Sequence, residues 1–217
     1  PAMVQAAEDA QGQGQGVLFV GREGVAVGMI TVADPIKPNA APAVRALQGL
    51  GVDSIMITGD AERTARAVAG AIDIIDLRAG VLPEGKAGVI AELGAGTVFV
   101  GDGINDAPAL AAADVGIAMG TGTDVAIEAG DVVLMNGDPM GVVNAIAISR
   151  AVMRNIRQSL AWAFGYNGAL IPVAAGVLVP FGGPQLSPML GAGAMALSSV
   201  FVLTNALRLK RFKGVAV

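Results

Sequence analysis

Three short polar clusters in this sequence have the residue types needed to hold a phosphate. Thr58-Gly59-Asp60 puts a hydroxyl and a bare backbone amide at the expected start of a helix, a natural seat for an anion. Lys86, within Pro83-Glu84-Gly85-Lys86, offers a cation at another helix start. Gly101-Asp102-Gly103-Ile104-Asn105-Asp106 follows an apolar run and gathers two carboxylates where a hard cation such as Mg(II) and its phosphate could be held. Each cluster alone has an ordinary structural explanation: a turn and helix cap, a solvated lysine, a Gly/Asp loop. What points to phosphate chemistry is their order behind successive strand-like runs. Cys and His are both 0, so thiols, zinc knuckles and imidazole bases are excluded, and carboxylates, Lys, Ser/Thr, Met, Tyr and Asn must carry any reaction.

A second group lies in a different solvent. From Gln158 to Leu207 no residue is charged, a run long enough for two helices of about 20 residues across a hydrocarbon core of about 30 Å. The pattern predicts spans near 159–181 and 186–207, joined by a tight loop at Gly182-Gly183-Pro184-Gln185. Inside them stand Tyr166, Asn167, Met195, Ser198, Ser199, Thr204 and Asn205, polar or polarisable groups that cost free energy in lipid unless they find partners. Met195 and Ser199 are one helical turn apart and share a face. Packing through Gly191 and Gly193 would account for the serines, but not for Met, Tyr and Asn together. A thioether with no carboxylate nearby suits a soft monovalent ion such as Cu(I) and poorly suits Zn(II), Mg(II) or Ca(II).

Composition agrees with a chain of two parts. It is 53% hydrophobic and 15% charged, with a mean hydropathy of +0.63, too apolar for an ordinary soluble domain. All 18 acidic residues precede Arg150, together with half of the 14 basic ones; the other half lie from Arg150 onward with no acid. Arg150, Arg154 and Arg157 precede the first expected span, and Arg208, Lys210, Arg211 and Lys213 follow the second, so both flanks and the acidic part are assigned to the cytoplasm. Residues 1–15 are polar and acidic and do not resemble a signal peptide.

The elements that must position the first group follow from periodicity. A helix is expected at 2–10 and a β-hairpin at 17–20 and 25–31, followed by a break at Asp34-Pro35-Ile36-Lys37-Pro38. Then come helix 40–50, strand 54–57, helices 61–69 and 84–93, strand 98–100, helix 107–113, strand 115–118, helix 123–129 and strand 132–134. Such alternation predicts an α/β fold with a doubly wound parallel sheet, ligands gathering at the carboxyl ends of its strands. A helical run from about Gly141 through Arg157 into the first span offers a covalent route for motion between the two parts.

Four motifs together resemble the phosphorylation domain of P-type ATPases, which has a haloacid-dehalogenase-like fold. They are Met56-Ile57-Thr58-Gly59-Asp60, Pro83-Glu84-Gly85-Lys86, Val100-Gly101-Asp102-Gly103-Ile104-Asn105-Asp106-Ala107-Pro108-Ala109-Leu110, and Met119-Gly120-Thr121-Gly122-Thr123-Asp124-Val125-Ala126. Tyr166-Asn167 and Met195-Ala196-Leu197-Ser198-Ser199 resemble the copper(I)-exporting heavy-metal subclass; zinc and cadmium exporters would show a Lys and an Asp in these helices. The resemblance covers essentially the whole chain and implies a division into the end of a nucleotide-binding domain (1–32), a phosphorylation domain (33–140) and a linking helix with two spans (141–217). It implies ATP and Mg(II) as cofactors, Cu(I) with Ag(I) as a second candidate cargo, a cytoplasmic chaperone as ion donor, a bacterial plasma-membrane location and no nucleic-acid partner. Thr58 and Gly59 would bind phosphoryl oxygens, Lys86 would offset their charge, and Asn105 would bond near the phosphate. Asp102 would ligate Mg(II), with Asp106 completing the site or ordering its waters, and Asp60 would shape the loop. Tyr166, Asn167, Met195 and Ser199 would line the ion site, with Ser198 a weaker candidate.

The family's phosphorylated Asp-Lys-Thr-Gly-Thr and its Cys-Pro-Cys do not occur here, so the chain is expected to be the C-terminal part of a longer pump, inactive by itself. The competing readings are a truncated product that binds Mg(II) or phosphate without turnover, a zinc or cadmium exporter, and a membrane-anchored phosphatase of the same fold.

Overall fold

In a computed structural model, residues 2–102, 104–120, 124–183 and 187–215 are described. They form two units, divided between Val143 and Asn144. The first contains α1 (Ala2–Gly12), β1 (Gly16–Arg22), β2 (Val25–Val32), α2 (Ala40–Gly49), β3 (Ile55–Ile57), α3 (Glu62–Ala71) and β4 (Asp76–Arg78). It continues with α4 (Pro83–Leu93), β5 (Val98–Gly101), α5 (Ala107–Ala112), β6 (Val115–Met119), α6 (Asp124–Ala129) and β7 (Val132–Leu134). The long helix α7 (Met140–Ala174) starts at the end of this unit, and α8 (Pro188–Leu207) follows in the second.

β6 lies at the centre of a parallel three-stranded sheet in the order β5-β6-β7 and is buried over Gly116–Met119, as a strand covered on both faces should be. Ile90 of α4, Phe99 of β5, Ala109 and Leu110 of α5 and Ala118 of β6 make the core, with Ile57 of β3 packed against them. Small residues at 109 and 118 let helix and sheet approach closely. Pro83 opens α4 at a position where its missing N–H costs nothing. Asp138 caps the start of α7 through the Met140 amide (3.0 Å) and takes both Asn39 amide bonds (3.1 and 3.2 Å).

The parallel α/β arrangement matches the expectation, with two differences. Among the described residues the parallel strands form two sheets: β3 pairs with β4, and β5 with β6 and β7. β3 and β5 each have one partner and one open edge. β4 is absent from the periodicity reading because Asp76-Leu77-Arg78 offers one apolar residue between two charges, and those charges pair with each other at 2.6 Å. The hairpin β1–β2 is antiparallel, turning at Glu23-Gly24, with a register shift at Val20/Gly21. α1 is held to α3 by Glu8–Arg63 at 3.4 Å, and Thr64 donates to the Gln15 carbonyl at 3.1 Å.

In the second unit the expected first span, 159–181, is corrected. α7 passes through Ser159 without a break and ends at Ala174, short of Phe181, where a separate 3-10 turn covers Val179–Phe181. Pro172 lies in the last turn of α7, and Gly176 adopts a φ of +82°. The Val177 amide then donates to the Pro172 carbonyl and the Gly176 amide to that of Val173, both at 3.1 Å, the bonding of a Schellman stop. α8 is described from Pro188, two residues after the expected start, and ends at Leu207 as expected. Gly103, Thr121-Gly122-Thr123, Pro184-Gln185 and Leu186, which the expected motifs, loop and second span include, lie outside the described residues.

Candidate functional site

The Thr58-Gly59-Asp60 loop follows β3 directly and is knotted on itself. The Thr58 hydroxyl donates to Asp60 Oδ2 at 2.9 Å and accepts from the Asp60 amide at 3.1 Å. Asp60 therefore shapes the loop, while its Gly59 backbone is exposed. The loop is also tied to the segment after β4: Thr58 N–H donates to Arg78 O, Gly80 N–H to Asp60 O and Val81 N–H to Thr58 O, each at 3.0 Å. That segment leads straight into α4, so these backbone bonds fix the start of the helix that carries Lys86. Sequence reasoning missed residues 78–81 because main-chain bonds leave no residue-type signal.

Lys86 is half-buried, and its ammonium donates to Asp106 Oδ1 at 2.6 Å. The two side chains retain 16% and 12% exposure, so this is the least exposed of the ion pairs among the described residues. The other Asp106 oxygen, Oδ2, accepts from the Asp102 amide at 3.3 Å. Gly101, the last residue of β5, makes room for this arrangement: a Cβ there would stand 2.7 Å from Asp106 Cβ. Asp102 and Asn105 are exposed at the mouth of the same turn.

This geometry sorts the two carboxylates. Asp102 has an exposed carboxylate at the carboxyl end of β5 and fits a Mg(II) ion, which is bound through one or two carboxylates plus phosphate oxygens and waters. Asp106 accepts from the Lys86 ammonium and from the Asp102 amide, so it braces the loop and holds the lysine beside Asp102. No cluster of three or more carboxylate, His or Cys ligands occurs among the described residues. Thr58 and Asp60 are linked to α4 through the backbone of residues 78–81 and the shared core at Ile57.

The second group of candidates lies on α7 and α8. These helices are joined by Asn205, whose amide donates to Asn155 O and Ser159 Oγ, both at 3.1 Å, while Asn155 Nδ2 donates to Asn205 O at 2.6 Å. About one turn further along, Trp162 and Phe201 stack with ring centres 5.4 Å apart. This antiparallel register brings Tyr166 level with Met195 to Ser199. The four candidates are not joined into one cluster. Asn167 donates back to Ala163 O at 2.8 Å, Ser199 donates to Met195 O at 3.2 Å, and the Met195 side chain is exposed. The Tyr166 hydroxyl is buried and has no hydrogen-bond partner. One helical stretch among the described residues, Gly191–Arg211, is long and apolar enough to cross a membrane.

An exposed carboxylate after β5 and a lysine braced on α4 stand on a parallel α/β fold, and comparison supplies its class: the chain belongs to the haloacid dehalogenase-like hydrolase family, which matches residues 1–114 and again 94–146. Within that class its relatives are P-type ATPases. It is 55% identical to a copper-transporting P-type ATPase of Rhizobium leguminosarum bv. viciae over 96% of this chain and 25% of the relative. It is 51% identical to a silver exporting P-type ATPase of Salmonella typhimurium over 91% of this chain and 24% of the relative. A crystal structure of a zinc-transporting PIB-type ATPase in its E2.Pi state superposes with a TM-score of 0.78 at 38% identity, covering 96% of this chain and 34% of that one. The chain thus spans about a quarter of the length of the curated relatives.

Proposed function

We propose that this chain forms part of an ATP-driven exporter of copper(I), with silver(I) as a second cargo, and works through an aspartyl phosphate. Phosphoryl transfer depends on positioning and charge neutralisation more than on covalent chemistry by the protein. The observation that carries the reading is the Lys86–Asp106 pair, held beside the exposed Asp102 at the end of β5. Thr58 and the Gly59 amide would take phosphoryl oxygens, Lys86 would offset their charge, Asn105 would bond near them, and Asp102 would hold Mg(II). Magnesium, when bound, would neutralise the transferring phosphoryl group. The nucleophilic aspartate is not among these residues.

Tyr166, Asn167, Met195 and Ser199 would contribute soft and neutral donors to the transported ion. Support comes from the uncharged run Gln158–Leu207, which offers no carboxylate to a divalent cation. The globular unit would lie in the cytoplasm of a bacterial cell, where a soluble chaperone would deliver the ion.

A chimera tests this reading. The corresponding segment of the Rhizobium leguminosarum relative is replaced by this chain and expressed in a copper-sensitive strain lacking its own exporter. The chimera should restore copper tolerance, and the same chimera with Asp102→Asn should not, although it is inserted and binds copper. Restored zinc or cadmium tolerance in place of copper would transfer the cargo to the divalent class. Tolerance retained by the Asp102→Asn chimera would remove Asp102 from the phosphate site.

A further inference from the structure

α3 starts at Glu62, two residues after the Thr58-Gly59-Asp60 loop, and its first turn has no local fastening. The N-cap position is Ala61, which offers no oxygen to the free amides, and no side-chain cap bond forms. The turn is held instead by a segment 49 residues earlier in the chain: the hydroxyl of Thr64, a residue only 5% exposed, donates to the Gln15 carbonyl at 3.1 Å. Next to it Arg63 reaches Glu8 of α1, but both of those side chains are half-exposed and water screens the pair. Ala7 and Ala10 of α1 and Ala65 and Ala69 of α3 are buried, small enough for the two helices to pack closely. The Gln15 carbonyl is itself placed by the way α1 stops. Gly14 has a φ of +79°, the Gln15 amide donates to Ala10 O at 3.1 Å and the Gly14 amide to Gln11 O at 3.0 Å, the bonding of a Schellman stop.

The loop therefore has two supports. On one side the backbone of residues 78–81 ties it to the start of α4, and on the other it runs into a helix whose first turn is pinned to the end of α1. We propose that Thr64 is a positioning residue for the phosphate loop: its bond to the Gln15 carbonyl fixes where α3 begins, and with it where Thr58 and the Gly59 amide stand. The inference rests on the phosphate reading of those two residues and adds one that acts on them through the backbone alone. A misplacement of about 1 Å can cost a reacting site about 100-fold. Loss of the Thr64 bond leaves α3 packed through its alanines, so the shift is smaller and the expected loss is about tenfold.

The chimera with the Rhizobium leguminosarum relative carries the test, with two readouts: acid-stable phosphoenzyme formed from inorganic phosphate and Mg(II), and binding of trinitrophenyl-ATP. Thr64→Val keeps the side-chain shape and removes the donor. It should raise the half-saturating phosphate concentration about tenfold and leave nucleotide affinity within about twofold of the parent. Thr64→Ser should restore the parent value, and Glu8→Gln should leave it unchanged. Gly14→Ala acts on the other partner, because an L side chain is strained at that φ. It should raise the same concentration about threefold, which keeps the inference testable if Thr64→Val does not fold. An unchanged phosphate dependence in these two variants would overturn the proposal, as would a Thr64→Ser defect as large as that of Thr64→Val. Nucleotide binding weakened as much as phosphate binding, or weakened alone, would also overturn it and make Thr64 an anchor for α1. An unsubstituted chimera that forms no phosphoenzyme from phosphate would sink the phosphate reading itself, and this failure is distinguishable because it precedes any change at Thr64.

Discussion

At Asp106 one carboxylate oxygen takes the Lys86 ammonium and the other the Asp102 amide, and this division decides what each residue can do. A mostly buried charge that loses its partner is not rehydrated cheaply, and breaking such a pair costs about 3 kcal/mol. Lys86→Met should therefore destabilise the first unit by roughly that amount, because it leaves Asp106 charged at 9% exposure. Asp102→Asn should stay within about 0.5 kcal/mol of the parent, since its side chain is exposed and only its backbone amide holds the loop. Denaturant unfolding of the detergent-solubilised chain measures both. A Lys86→Met cost no larger than that of Asp102→Asn would mean that the pair does not brace the loop. Asp102 and Lys86 were legible from the sequence as residue types in the right order. That Asp106 pairs with Lys86 was not, because partner choice between groups twenty residues apart is made by the packing of α4 on the turn after β5.

Elements were legible in proportion to how apolar they are. β3, β5, β6 and β7 stand within one residue of the expected runs 54–57, 98–100, 115–118 and 132–134. β4 was silent because an edge strand needs only one buried side chain and can spend its other positions on Asp76 and Arg78. The end of α7 was misjudged because hydropathy continues through Val177-Leu178-Val179, and only the backbone bonds around Gly176 stop the helix. Asn205 was seen as a polar residue in need of a partner, and the structure supplies the partners on α7. Its side chain joins two helices with apolar faces, and if these lie in lipid as proposed, such bonds are worth about 0.6 kcal/mol each. Asn205→Ala and Ser159→Ala in a double-mutant cycle should show a coupling of about that size, read from thermal unfolding in detergent. Additive effects would mean that the hydroxyl and amide do not act as a pair and that the Trp162–Phe201 stack alone sets the register.

Across the whole molecule, charge is segregated along the chain: every acidic residue precedes Arg150, and only basic residues follow. Under the proposed function, basic residues on both sides of an uncharged run would resist translocation and hold the acidic unit on the cytoplasmic side. The turn after α7 would then face the opposite side. The absence of Cys makes this directly measurable, since any introduced thiol is the only one in the chain. Phe181 lies in that turn at 85% exposure, and Met135 lies in the first unit at 89%, so both tolerate Cys without disturbing a core. In intact cells an impermeant maleimide should label Phe181→Cys and leave Met135→Cys untouched, and permeabilisation should make Met135→Cys reactive. Arg154 and Arg157 supply part of the retaining charge, so replacing both with Gln should raise the fraction of chains labelled at Met135→Cys in intact cells. Labelling of Met135→Cys in intact cells without those replacements would invert the topology and move Asp102 away from cytoplasmic ATP. Protection of both thiols until permeabilisation would mean that the run Gln158–Leu207 does not cross the membrane.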